Sequence, residues 1–442
     1  MRGLTARSVL FALTKDLIPL YAVYALIFAD HGLSVAQISS LLAIWSVTSF
    51  VLEVPSGAWA DTVSRRALLI LSAVLLAAGF AVWTLFPSYL GFAAGFVLWG
   101  TSGALSSGTF EALLYDDLAA RAATPAYARI LGYTRAAAES AALAAILAAA
   151  PLYTWGGYPL VGWSSVFVAA LHILAAMAMP SAPKAVSAGE VEDLEDADEA
   201  DSPPGEFEYP RVRTVDAPAF VPESASLSRY LHMLRTGVRE ALRVRVIRRG
   251  VLLAALLNGI TAYDEYFALM ADEAGVSPAV ASLLVGVTVA GALAGAFLSG
   301  RTESMRPRTM AWTLTAGGVL FIAGALLSGL AATHPASVHL LTGVGFTLIG
   351  VAYGLNYNAD VIASARLQDA IEGPARATVT SVSGVATEVF ALAVFIFAGS
   401  AATLLSISTV VALLGIPLLA TALLATRWLP RSHVSSAPGG PS

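Results

Sequence analysis

Asp264 and Glu265 stand side by side in the stretch TAYDEYFAL (261–269), with apolar runs on both sides. Like charges so close discourage simultaneous ionisation, so the pair suits proton binding and release. At the 100° step of an α-helix, Asn258, Thr261, Asp264 and Glu265 fall within an arc of about 120°, with Tyr266 next to it. Tyr353, Asn356, Tyr357 and Asp360 follow the i, i+3, i+4, i+7 rule and share one face of another helix. Ser107, Glu111 and Tyr115 stack at i+4 on a third. Lys15, Asp16, Glu139 and Glu388 are further ionisable residues inside apolar runs. Such groups are expensive in a bilayer and face a protein interior or a water-filled cavity. One polar face alone would read as a hydrogen-bonded network that fixes helix packing. Three faces favour a solvated cavity.

The elements that carry these residues follow from composition. The 442 residues are 57% hydrophobic and 12% charged, against about 25% charged in soluble proteins. This is an integral membrane protein. It has no cysteine, hence neither disulfide nor thiolate metal site. Lysine occurs only at 15 and 184 and never after glycine, so a P-loop for ATP is excluded. The six histidines show no metal-type spacing on one helix. No cofactor is expected, and an enzyme or sensor is the weaker alternative.

A span needs about 20 apolar residues. Spans are expected at 9–29, 35–55, 67–86, 89–112, 127–150 and 159–179, then at 250–271, 278–299, 309–331, 337–364, 375–399 and 402–426. The first is read as a span and not a signal peptide, because Lys15 and Asp16 interrupt it. The arginines cluster at the termini and in even-to-odd connections. By the positive-inside rule, both termini are cytoplasmic in a cell inner membrane. The expected fold is all-α: twelve transmembrane helices in two six-helix bundles, residues 1–180 and 250–430, with a tail at 431–442. Between them, 181–249 forms a cytoplasmic loop. Its acidic run EVEDLEDADEAD (190–201) reads as a solvated linker. Its basic amphipathic helix (226–249) is expected to lie on anionic lipid headgroups.

Spans three, six, nine and twelve lack interior Asp, Glu, Lys and Arg; His172 is the titratable group there. Spans one, four, seven and ten carry Lys15 with Asp16, Glu111, Asp264 with Glu265, and Asp360, and spans five and eleven carry Glu139 and Glu388. This period of three recurs in both halves.

The segment EVPSGAWADTVSRRAL (53–68) resembles the loop signature G-x-x-x-D-x-x-G-R-[KR] of the major facilitator superfamily. Gly57, Asp61, Arg65 and Arg66 match, and Ser64 stands where the family has glycine. The resemblance implies that Asp61 and the arginines latch the two halves, with Asp61 facing the start of span eleven. Gly57 would permit close approach at the turn. After span eight, GAFLSGRTESMRPR keeps Gly295, Arg301 and Arg306 but lacks the aspartate, so its latch is degenerate. Span four has no arginine and span five no G-P-x-x-G-G motif, unlike drug/proton antiporters of the family. The pairs Gly91/Gly95 and Gly291/Gly295 fit G-x-x-x-G packing.

The resemblance implies a secondary transporter working by alternating access. With no ATP motif, protons are the expected energy source, and Glu111, Glu139, Asp264, Glu265 and Glu388 the expected carriers. Lys15 and Asp16 are either an internal ion pair or a substrate contact. Tyr24, Tyr263, Tyr266, Tyr353 and Tyr357 suggest an aromatic cavity lining. The acidic excess favours an organic cation or amphiphile, exported; proton-linked uptake is the alternative. A monomer that binds no nucleic acid is expected.

Overall fold

Serine and proline set many of the helix starts. Ser64, Ser88, Ser277 and Ser406 each accept a hydrogen bond from the backbone N–H three residues on, satisfying a donor that the first turn leaves open. Pro278 and Pro307 occupy first turns, where a missing N–H costs nothing. The computed structural model describes residues 2–183, 244–370 and 376–430. The helices are α1 (Arg2–Asp16), α2 (Tyr24–Asp30), α3 (Val35–Thr62), α4 (Arg65–Leu85), α5 (Tyr89–Ser106), α6 (Thr109–Ala120) and α7 (Tyr127–Met177). There follow α8 (Arg245–Gly259), α9 (Phe267–Glu273), α10 (Pro278–Thr302), α11 (Pro307–Ala331), α12 (Val338–Asp369), α13 (Arg376–Ala401) and α14 (Ile407–Trp428). No strand occurs among the described residues.

Among the described residues, ten segments are long and apolar enough to cross a membrane. One of them, containing α7, is a double span. A straight helix of 51 residues would be about 77 Å long at 1.5 Å per residue, over twice the hydrocarbon core of about 30 Å. Gly156 and Gly157 break it, and Gly157 takes φ 60°, ψ −160°. That conformation is open to glycine and strained for other residues. The interrupted pair α5 and α6 supplies the remaining span, and the total is consistent with twelve.

The chain divides into two compact units, residues 1–33 with 41–235, and residues 34–40 with 236–442. In the first, α1 packs on α7, and α4 packs on α5, α6 and α7. Aromatic rings fill much of that core: Tyr24, Phe28, Trp83, Phe92 and Phe96 lie in mutual contact. Apolar Trp163, Phe167, Leu171 and Leu174 point outward from the second half of α7, as a lipid-facing span requires.

In the second unit, α12 packs on α10 and α11, α11 on α14, and α8 on α13. Glycines set the closest crossing. A Cβ on Gly291 would lie 2.1 Å from the Gly350 carbonyl oxygen, and one on Gly295 2.0 Å from that of Gly354. Span eight thus meets a matching glycine pair on span ten. Gly91 instead lies against the Phe86 carbonyl of its own connection, and Gly95 against Trp83 and Gly79.

Three expected spans are not continuous α-helices. Span one is interrupted after Asp16, where extended Ile18 and a 3₁₀ turn over Pro19–Ala22 separate α1 from α2. Span four breaks at Ser107, which is extended, and Gly108, which has φ 66°. In span seven, Ile260–Tyr266 forms a 3₁₀-helix between α8 and α9. The acidic run 190–201, the expected tail 431–442 and most of the expected basic helix lie outside the described residues. Arg245, Arg248 and Arg249 belong to α8, so span seven starts earlier than the expected residue 250.

Candidate functional site

In the first unit, the breaks in spans one and four border one cavity of about 270 Å³. Lys15 and Asp16 at the end of α1, Ser107 and Glu111 at the α5–α6 break, and Thr134 and Arg135 on α7 line it. Phe11 and Phe110 also line it, their rings stacked 5.1 Å apart and 3° from parallel. His172 is buried behind Phe11. Its Nδ1 lies 3.0 Å from the Thr14 hydroxyl, one residue from Lys15. Span six therefore holds the end of α1 in place.

Sequence geometry had put Ser107, Glu111 and Tyr115 on one continuous helix. The structure puts Ser107 in the break and Glu111 in the first turn of α6, where a helix dipole favours negative charge. Lys15 and Asp16 make no direct salt bridge or hydrogen bond among the described residues, but their opposite charges act on each other electrostatically. Glu139 is exposed rather than buried and is not part of the cavity wall. It lies within electrostatic reach of Asp16. Arg135, four residues before Glu139, was absent from the expected site; its i, i+4 spacing from that glutamate was the available signal. Tyr24 is buried in the aromatic core and is not part of this cavity's lining.

In the second unit, the polar groups gather where α12 passes span seven. The Tyr353 hydroxyl donates to Asp264 Oδ2 at 2.7 Å. Asn258 Nδ2 donates to Asp360 Oδ2 at 3.3 Å, and Asn356 Nδ2 to the Leu257 carbonyl at 3.1 Å. The Tyr353 ring meets Tyr357 at 5.8 Å and Tyr263 at 5.6 Å. Tyr263 is fully buried and packs on Phe321 at 4.5 Å, which makes it core rather than lining. Tyr266 is also fully buried, its hydroxyl 2.7 Å from Ser39 Oγ.

The polar arc expected around Asp264 and Glu265 falls on a 3₁₀-helix rather than an α-helix. A 3₁₀-helix turns about 120° per residue, so Thr261 and Asp264 eclipse while Glu265 points about 120° away. Asp264 takes the Tyr353 bond, and half-buried Glu265 diverges from it. Half-buried Glu388 lies beside the same break, because Gly259 touches α13 at Thr387 and Phe390, on either side of it.

At the expected latch, Arg65 is buried and its Nη1 donates to Asp116 Oδ2 at 2.6 Å. The Arg66 guanidinium donates to the Met177 carbonyl. Asp61 falls in α3, and its side chain lies outside the described residues, as does the start of span eleven. Gly57 sits inside α3, and a Cβ there would meet no described residue within 4 Å. The second unit keeps an arginine contact by another route. Arg366 on α12 donates to the carbonyls of Glu303 and Met305, each at 2.6 Å, and so closes the end of α10.

Broken spans with ionisable groups at the breaks, in an all-helical multi-pass chain, are the architecture of a membrane carrier. The chain belongs to the Major Facilitator Superfamily, a family of membrane transporters, whose model matches residues 8–367. Among solved structures, a D-xylose-proton symporter shares 16% identity over 97% of both chains, with a TM-score of 0.61. The nucleoside transporter NupG shares 12% identity over 96% of this chain and 97% of its own, with a TM-score of 0.65. These likenesses show the fold. No curated protein sequence matches the chain.

Proposed function

We propose that the protein is a proton-coupled secondary transporter of a small organic solute, working by alternating access, with both termini on the cytoplasmic side of a cell inner membrane. The observation that carries the coupling is Asp264, held by the Tyr353 hydroxyl at 2.7 Å inside a 3₁₀ interruption of span seven. A 3₁₀ stretch within a long helix suits a hinge. A carboxylate on a hinge changes its access to water as the hinge moves. Glu265, one residue on and facing elsewhere, offers a second proton position at the same depth. Export is the first reading of direction, and proton-linked uptake the alternative.

The test uses full-length protein in proteoliposomes loaded with a pH-sensitive dye. A panel of small organic solutes is added on either side. At least one solute is expected to drive proton movement, and Asp264→Asn or Glu265→Gln to abolish it while solute counterflow at equal pH persists. If both variants still concentrate that solute with unchanged pH dependence, these carboxylates do not couple protons. Glu111, Glu139 and Glu388 then become the carriers to test.

A further inference from the structure

Asp360 Oδ1 and Asn356 Oδ1 are both buried, and neither accepts a hydrogen bond from any described residue. We propose that these two oxygens, beside the break in span seven, bind a sodium ion. This goes beyond the proton reading, which rests on Asp264 and Glu265.

The two residues stand at i and i+4 on α12, where Cβ atoms lie about 5–6 Å apart. Their other side-chain atoms are bonded to neighbouring residues at the end of α8. Asn356 Nδ2 donates to the Leu257 carbonyl at 3.1 Å, and Asp360 Oδ2 accepts from Asn258 Nδ2 at 3.3 Å. The first contact fixes the Asn356 amide, because only its NH₂ can face a carbonyl oxygen. Asn356 Oδ1 is therefore an acceptor without a described donor. Asn356 is 1% exposed and Asp360 8%, and the neighbouring Leu257 and Ala359 belong to an apolar core. Asn258 is exposed, so an ion reaches Asp360 past one side chain.

A buried carboxylate without a cationic partner is costly, and no described basic side chain forms a salt bridge with Asp360. The local dipole adds to the negative potential, since α8 ends at Gly259, one residue past Asn258. A water would donate to both oxygens but leave the charge. A proton on Asp360 would remove the charge but supply one donor. A cation neutralises the charge and takes both oxygens at once. The C-terminal end of a half-helix suits a coordinated sodium ion or proton.

Donor chemistry narrows the ion. The ligands are oxygens with one carboxylate among them, and no group of three His, Cys, Asp or Glu side chains occurs among the described residues. Calcium calls for more oxygens and more charge, and transition metals for nitrogen or sulfur. A singly charged hard cation fits the set. The space between two buried side chains one turn apart favours a small one. Bound there, sodium holds α12 against the last turn of α8, next to the 3₁₀ stretch Ile260–Tyr266, and steadies one side of that hinge.

The experiment uses purified full-length protein in detergent, at fixed ionic strength and at each of two pH values. Binding of radioactive sodium is measured by scintillation proximity, and unfolding midpoints are followed as sodium chloride replaces choline chloride. Saturable binding and a rising midpoint are expected, with no such rise in potassium chloride. Asp360→Asn keeps the shape and removes the charge; Asn356→Leu keeps the volume and removes the oxygen. Each should weaken sodium binding at least tenfold. Absence of saturable sodium binding by the wild-type protein overturns the proposal, whatever the variants do. So does an equal midpoint rise in potassium chloride, a midpoint that follows pH but not sodium, or undiminished sodium binding by Asp360→Asn.

Discussion

Arg65 Nη1 and Asp116 Oδ2 lie 2.6 Å apart, with side-chain exposures of 2% and 1%. The pair joins the start of α4 to α6 within the first unit. Arg65 also donates to the Ala60 carbonyl at 3.4 Å, at the end of α3. One guanidinium therefore ties the end of α3 and the start of α4 to α6, on the side where the arginine pattern leads one to expect the cytoplasm. Removing one member of a buried pair leaves the other charge stranded, at a cost of about 3–5 kcal/mol. Asp116→Ala is expected to lower the unfolding midpoint in detergent sharply. Replacing both residues with apolar side chains of similar volume should restore most of it. Equal losses in the single and double variants would show that the pair does not act as a unit.

The Tyr353–Asp264 bond gives a second prediction. Tyr353→Phe keeps the ring packing on Tyr263 and Tyr357 and removes only the donor. A hydrogen bond to a charged group is worth about 1.5–3 kcal/mol. The variant should stay folded but shift the pH profile of gradient-driven transport, with equal-pH counterflow close to wild type. An unchanged profile in Tyr353→Phe would detach this hydroxyl from coupling.

The glycine crossing of α10 and α12 is a third. A Cβ at Gly354 would lie 2.4 Å from the Gly291 carbonyl oxygen, while one at Gly300 would meet nothing within 4 Å. Gly354→Ala must push two backbones apart, and overpacking of this kind costs about 1–3 kcal/mol. Gly300→Ala, on the same pair of helices, should be neutral or slightly stabilising, since glycine within a helix costs about 0.5–1 kcal/mol relative to alanine. Unfolding midpoints of the two variants check the contrast. Equal midpoints would mean the helices have room to separate.

Hydropathy and arginine placement made the spans legible, because lipid enforces both over lengths of 20 residues. The helix interruptions were less so. Pro19 and Gly108 mark two of them in the sequence, yet both residues also occur inside unbroken spans: Pro55 and Pro417 lie within α3 and α14. The 3₁₀ stretch at Ile260–Tyr266 has no such marker. The Arg65 partner was missed for a different reason. Asp116 and Asp117 lie at the end of a span, where acids look like solvated loop residues. Only the fold shows one buried against Arg65 and the other bound at 2.5 Å by Arg121. Arg366 was invisible as a cap because its partners are backbone carbonyls, which carry no sequence signal.

Glu273 shows the same kind of hidden partner, and its role can be tested cleanly. It ends α9, and its carboxylate reaches the start of α14. Oε1 accepts from the Ile407 N–H at 2.8 Å, and Oε2 from both the N–H and the hydroxyl of Ser408 at 2.9 Å. Ser406 caps the Thr409 N–H of the same first turn. Three of the four donors a helix start leaves open are thus satisfied, two of them by a residue from another span. The negative charge also complements the helix dipole. Span seven carries the 3₁₀ interruption Ile260–Tyr266, so this contact pins one side of that hinge to span twelve. Glu273→Ala should lower stability by about 1–3 kcal/mol and speed hydrogen exchange at the Ile407 and Ser408 amides. Glu273→Gln keeps an acceptor oxygen but loses the charge, and should fall between the alanine variant and wild type. If the alanine variant exchanges these amides no faster than wild type, water replaces the carboxylate without loss and the contact does not hold the two spans together.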